Sequence, residues 1–440
     1  MSRPTFIRAL SLTDATLLVI GCIVGVGIFR TASSIATQLS NPLLILGLWV
    51  FGGLLSLCGA LCYAELAAMF PKSGGDYVYL THIYGRFWGF LFGWTKLFVE
   101  RTGTIAVLGF VFAEYLGGLL GYQHQTIRWV ASAGILGLTA VNVFGIQWGK
   151  YVQNTFTILK MLALSSVVAV GLAAWRGTEP LWTAPSISWF DLSLWQALGV
   201  ALVFVLWTYG GWTEAAYVAE EIKEAPRNVP RAIVWGVMLT MGLYVLVNAI
   251  YLWYIPISQL PQTKLVAAVT MERAAGSVGA NFIKWMVACS AFGALNGYIL
   301  TGARILYAMG QDHALFARLG ALHPRFHTPA AALWLNAAVA IGLVFTQTFE
   351  QIMTYSTVVI SVFFTLAVFG VMILRRTRPA QSRPYRAWGY PLTPIAFGLT
   401  MIGFIIDVCV KQPKEAIFGF GFMAFGLPLY WITRSHRSDG

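Results

Sequence analysis

Gly21-Cys22-Ile23-Val24-Gly25-Val26-Gly27 interrupts an apolar helical run near the start of the chain, and Tyr209-Gly210-Gly211-Trp212 interrupts another near its middle. A glycine costs about 1 kcal/mol relative to alanine in a helix interior, so the cluster of Gly21, Gly25 and Gly27 predicts an unwound stretch. In a bilayer, unwound backbone persists only where it is buried in protein or lines a cavity. Paired interruptions in two halves of a hydrophobic chain mark a binding centre at the interface of two repeats. Close helix packing at Gly25 to Gly27 and at Gly210-Gly211 is the alternative, and the matching positions in the two halves favour a cavity.

Composition places the chain in a membrane. Charged residues make up 10% and hydrophobic residues 58% of the 440, with mean hydropathy +0.70, whereas soluble domains carry roughly a quarter charged residues. The net charge of +12 is spread over short loops and does not form the single basic face that nucleic-acid binding requires. Twelve apolar spans are expected, the first from about Leu12 to Gln38 and the last from Ile417 to Ile432, including a third from Tyr84 to Leu116 and an eighth from Val278 to Met309. Arg30, Lys96, Arg101, Lys160 and Arg304 fall within spans. Of the remaining Lys and Arg, seventeen lie on the N-terminal side and seven on the other, which predicts both termini in the cytoplasm. The broken spans are the first and the sixth, an odd offset of five. This predicts a 5+5 inverted repeat in a single 440-residue transmembrane domain: residues 1–175, then 192–374, with helices eleven and twelve at 392–432 left over. Cys22, Cys58, Cys62, Cys289 and Cys409 all lie in apolar runs and read as buried thiols rather than disulfide or metal partners. Two arginines precede the first span without a small-residue cleavage site, so no cleaved signal peptide is expected.

The breaks have complementary chemistry. A half-helix starting near Gly27 directs free N–H groups and its positive dipole end at the cavity, which suits a carboxylate. Half-helices ending near Ile23 and Trp207 present unpaired carbonyls, which suit an ammonium group. The pair describes an α-amino acid, whose main-chain groups would be recognised by the backbone of the two breaks.

Several motifs then resemble one family. Gly25-Val26-Gly27-Ile28-Phe29 is similar to the Gly-Ser-Gly-Ile-Phe signature of the amino acid, polyamine and organocation superfamily. Glu220-Glu221-Ile222-Lys223 with Pro226-Arg227-Asn228-Val229-Pro230-Arg231 resembles its loop after span six. Tyr209-Gly210-Gly211-Trp212, Phe292-Gly293-Ala294-Leu295-Asn296-Gly297 and Arg383-Pro384-Tyr385-Arg386 resemble the L-type amino-acid transporter branch, including its bacterial members. The resemblance implies the fold of the bacterial sodium-coupled leucine transporter, an all-α polytopic protein with broken helices 1 and 6, and transport by alternating access. It implies that the Val26 and Gly27 amides hold the substrate carboxylate, that carbonyls of Ile23, Trp207 and Tyr209 hold the amine, and that Trp207 is an aromatic gate. It further implies that Lys160, in Asn154-Thr155-Phe156-Thr157-Ile158-Leu159-Lys160, replaces a sodium ion between spans one and eight by bonding carbonyls near Gly21. Animal members of the branch pair with a glycoprotein through a cysteine between spans three and four. Gly121-Tyr122-Gln123-His124-Gln125 has none, so no disulfide-linked heavy chain is expected, and a prokaryotic inner (plasma) membrane location is.

Each intramembrane charge costs at least about 2.5 kcal/mol on insertion scales and needs a partner or a role. Lys160 lies about 15 Å of helix from Lys150, at mid-membrane; snorkelling to the headgroups and proton exchange are its alternatives. Lys96 and Glu100 share a helix face and read as mutually neutralising; with Arg101 and Arg30 they are alternatively pocket charges that admit a polar or charged side chain. Glu220 and Glu221, followed by Lys223, Arg227 and Arg231, read as a cytoplasmic latch, with proton carriage as the alternative. No histidine lies deep in a span, and neither a metal site nor a cofactor is expected. The expected function is sodium-independent exchange of small or medium neutral amino acids. Proton-coupled amino-acid or polyamine uptake, and an amino-acid sensor without turnover, remain open. An intramembrane enzyme lacks a nucleophile with a base.

Overall fold

The computed structural model describes residues 5–174, 190–263, 265–346 and 349–434. Arg3, Arg176, Lys264 and Arg437, which enter the charge count, His436 of the histidine survey, and Trp175 at the end of the first expected repeat lie outside the described residues. The described residues are helical, with one isolated backbone bridge between Leu10 and Ile222.

The first apolar run folds as two helices. α1 (Leu12–Ile23) starts at a capping box in which Ser11 Oγ accepts from the Asp14 amide and Asp14 accepts from the Ser11 amide. α2 (Gly27–Ala36) resumes after a three-residue break. α3 (Pro42–Met69) is capped by Asn41, whose side chain accepts from the amides of Leu43 and Leu44. α4 (Asp76–Tyr84) is a short helix that the span reading did not include. The third span is α5 (Arg86–Thr95), a π-helical turn (Lys96–Glu100) and α6 (Arg101–Leu120), in one continuous stretch. α7 (Ile127–Val143) and α8 (Ile146–Ala173) complete the first half. α9 (Leu192–Thr208) stops at the second break, which leads to the single turn α10 (Glu214–Tyr217) and then α11 (Ala225–Tyr254). α12 (Val266–Asp312) bends at Gly276, where φ is +70°. The eighth span therefore begins near the expected Val278, while the preceding helical segment from Val266 was not anticipated. α13 (Ala330–Thr346), α14 (Phe349–Thr377), α15 (Leu392–Lys411) and α16 (Pro413–Arg434) follow.

Among the described residues, eight helical stretches are long and apolar enough to cross a membrane, with α1 and α2 counted together, and four further apolar helices are shorter. Large apolar side chains face outward along them, such as Leu43, Val50, Phe51 and Leu54 on α3, as expected where lipid is the solvent.

α1 packs on α8, α11 and α12, so the first break sits inside the bundle. Gly21 allows this approach, because a Cβ there would overlap Thr157 and Gln153 of α8. The two breaks also meet. Gly211 has φ +107°, and a Cβ on it would lie 2.8 Å from the carbonyl carbon and oxygen of Cys22. Side chains other than glycine are strained at that dihedral, and the neighbouring atoms are backbone that cannot turn away.

Gly211→Ala is therefore expected to destabilise the protein by more than about 2 kcal/mol. Gly242→Ala, which would add a methyl in open space in the interior of α11, should not destabilise the protein and should raise stability by up to about 1 kcal/mol. Thermal unfolding of the purified protein in detergent measures both.

Candidate functional site

A cavity of about 190 Å³ joins the two breaks. Cys22, Ile23, Val26 and Gly27 line it from the first, and Trp207, Thr208 and Gly210 to Glu214 from the second. Lys96, Glu100 and Thr104 of the third span and Tyr298 of α12 contribute, as do Phe364 of α14 and Phe397, Met401 and Phe404 of α15. The α15 wall was not expected, since that helix lies outside both expected repeats.

At the first break, Val24 donates to the Ile20 carbonyl and Gly25 to the Ile23 carbonyl. Among the described hydrogen bonds, none is donated by the amides of Val26, Gly27 or Ile28. These are the orphan donors that a helix start leaves, and two of their residues line the cavity. On the carbonyl side, Ile23 accepts from the Gly25 amide at 2.7 Å and from the Tyr244 hydroxyl at 2.9 Å. Both of its lone pairs are thus engaged, and an ammonium there would compete with Tyr244. Trp207 accepts from the Gly210 amide at 3.0 Å. Tyr244 of α11 was missed in the sequence. Its one signal is a hydroxyl in an apolar run, and its ring packs with Trp49 and Tyr209 behind the break.

Lys160 is fully buried. Its Nζ donates to the carbonyls of Gly21 (2.8 Å), Val24 (2.8 Å) and Ser290 (3.0 Å). The ammonium's three donors thereby join α8 to the end of α1 and to α12. Snorkelling is excluded by this geometry. Gly21, Gly25, Tyr209 and Lys160 stand behind the lining, outside the cavity wall.

The charges of the third span are paired. Lys96 meets Glu100 at 2.7 Å, and Glu100 lies 4.0 Å from Arg101. Arg101 donates from both terminal nitrogens to Glu214, at 3.0 and 3.1 Å, and Thr301 also donates to Glu214. The guanidinium sits over the rings of Tyr217 and Tyr298. The π turn reaches one residue further than an α turn: Arg101 donates its amide to the Lys96 carbonyl and Thr102 its hydroxyl to the Leu97 carbonyl. Arg30 is exposed on α2 and does not line the cavity.

The acidic pair after the second break differs from the expected latch. Glu221 is buried against Arg304 of α12, at 2.9 to 3.1 Å, while Arg227 pairs with Glu224 at the surface. Leu10 donates its amide to the Glu221 carbonyl and accepts from the Lys223 amide, which fastens the N-terminal segment to this turn. Asp76 of α4 accepts from the hydroxyls of Tyr63 and Tyr217. Glu65 of α3 accepts from Arg375 and from the Ala387 amide, anchoring the loop that holds Arg383-Pro384-Tyr385-Arg386. The five cysteines are free thiols.

Removing one partner of a buried ion pair strands the other charge. Arg101→Leu is expected to cost about 3 to 5 kcal/mol, and Arg101→Leu with Glu214→Leu to recover most of that loss, as read by thermal unfolding of the single and double variants.

The model of the amino acid permease family matches residues 10–432. The serine/threonine exchanger SteT of Bacillus subtilis is 31% identical over 437 residues, 98% of each chain. The mouse b(0,+)-type amino acid transporter 1 is 30% identical over 433 residues, 97% of this chain and 88% of its own. The mouse large neutral amino acids transporter small subunit 2 is 30% identical over 431 residues, 97% of this chain and 81% of its own. These relatives are membrane transporters and not enzymes, and the chain belongs to the amino acid permease family.

Proposed function

We propose that the chain is a sodium-independent exchanger of small or medium neutral L-amino acids that works by alternating access. The observation that carries this reading is the cavity joining the two breaks, with the unpaired amides of Val26 and Gly27 on its wall. A substrate carboxylate satisfies these donors at the positive end of α2, and the carbonyls of Ile23 and Trp207 face its amine, with Tyr244 yielding at Ile23 and Tyr209 backing the wall from behind. Gly25 and Gly210 keep the two approaches open, and Trp207 closes over the side chain. The relatives, one named as an exchanger and the others as amino-acid transporters, support the same class.

Sodium independence rests on Lys160. Its fixed ammonium occupies the place between α1 and α12 where a bound cation would otherwise gather carbonyl oxygens. Because it touches the last turn of α1, substrate binding at the break and the packing of α8 are mechanically joined.

The four shorter apolar helices, taken as spans, bring the eight to twelve. We read these as two inverted repeats of five spans, 1–175 and 192–374, followed by two helices at 392–432, with both termini in the cytoplasm of a prokaryotic cell. Exchange then proceeds without a disulfide-linked heavy chain, since the segment from Gly121 to Gln125 lacks cysteine.

Counterflow of labelled amino acids into proteoliposomes, with choline replacing sodium, tests the reading. Undiminished exchange is expected. Lys160→Ala, which leaves three buried carbonyls without their donor, should lower the rate by about ten-fold or more. A requirement for a sodium gradient in the unaltered protein would contradict the proposal, and full substrate-responsive exchange by Lys160→Ala would remove Lys160 from the coupling.

A further inference from the structure

The cavity wall has two chemically distinct parts. On one, Trp212 stacks on Phe364, with ring centroids 5.6 Å apart, and meets Phe397 edge-on at 5.8 Å. On the other, Lys96, Glu100, Thr104 and Glu214 bring charge and hydroxyl to the lining. Apolar burial alone does not call for the second part, and the amino-acid reading of the two breaks leaves it without a role.

The four charges of this cluster differ in what they show the cavity. Side-chain exposure is 3% for Lys96, 1% for Arg101 and 2% for Glu214, but 14% for Glu100. The recorded approaches of Lys96 and Arg101 to Glu100 are both to Oε2, and no hydrogen bond to Oε1 is made among the described residues. Thr104 stands one helical turn beyond Glu100, on the same face, and its hydroxyl likewise makes no hydrogen bond among the described residues. A ligand side chain thus meets one carboxylate acceptor and one hydroxyl, which can donate or accept.

Charge balance narrows the match. Two cations and two anions make the cluster neutral, so a cationic side chain would find no net countercharge. An aliphatic side chain would displace water from the carboxylate and return no hydrogen bond, which costs the desolvation of a polar group. A neutral side chain with its own donor satisfies Glu100 without disturbing the pairs behind it.

We propose that Glu100, supported by Thr104, is the specificity-determining element of the site and selects neutral amino acids with a side-chain hydroxyl or carboxamide over aliphatic and cationic ones. This rests on the amino-acid exchange reading above and names its substrate class. Lys96 and Arg101 act as positioning residues that hold Glu100 in place.

Homo-exchange of labelled serine, asparagine, valine and lysine in sodium-free proteoliposomes tests it. Serine and asparagine are expected to exchange about ten-fold or more faster than valine and lysine at equal low concentration, the size of one hydrogen bond to a charged group. In the double variant Lys96→Met with Glu100→Leu, and separately in Thr104→Val, the serine-to-valine ratio should fall. Valine or lysine matching serine in the unaltered protein would overturn the inference while leaving amino-acid exchange standing. A ratio unmoved in both variants would overturn it as well. Absence of exchange with every amino acid would instead remove the exchange reading, and this inference with it. The wild-type ratio decides the matter even where the double variant fails to fold.

Discussion

Backbone amides and carbonyls inside an apolar bundle must find partners, and the broken first helix concentrates that requirement at one place. Ending α1 at Ile23 and restarting at Gly27 frees carbonyls on one side of the gap and amides on the other. The protein satisfies the carbonyl side itself. Lys160 holds Gly21, Val24 and Ser290, and Tyr244 holds Ile23. It leaves the amide side open to the cavity. This asymmetry underlies the proposed site, because the unsatisfied half suits a ligand that brings an anionic group.

The second break is fitted to the first, and the fit constrains sequence strongly. Gly211 lies against the Cys22 and Ile23 backbone, and Gly27 against Thr208 and Trp207. The two breaks therefore pack directly on one another. The turn after the second break is held in three directions: Glu214 by Arg101, Tyr217 to Asp76, and Glu221 by Arg304. Each partner lies on a different element, so the turn reports on the third span, on α4 and on α12. Buried pairs of this kind are weak evidence for stability but costly to break singly, which makes them suited to fixing one arrangement of helices over another.

The glycine breaks, the apolar runs and the isolated Lys160 were all legible in the sequence, because each departs from its surroundings within a few residues. A lysine in the middle of an apolar helix must find oxygen atoms, and the free carbonyls at a break are the obvious supply. Pairings between distant residues were not legible. Arg101 and Glu214 are 113 residues apart, and Glu221 finds Arg304 rather than the nearer Arg227, because only tertiary packing decides which charges share a dry site. The α15 wall of the cavity and the segment from Val266 to the bend at Gly276 escaped for a related reason. Periodicity identifies an apolar helix and is silent on which neighbour it faces.

The proposed exchange requires an amino acid bound across the two breaks, its carboxylate on the amides at the start of α2. An experimental structure of the protein in lipid nanodiscs, in sodium-free buffer with an exchanged amino acid bound, measures this directly. The carboxylate is expected within hydrogen-bond distance of the Val26 and Gly27 amides, with the Lys160 ammonium still on the Gly21 and Val24 carbonyls. A ligand carboxylate seated elsewhere, for example among Trp212, Phe364 and Phe397 and out of reach of those amides, would contradict it.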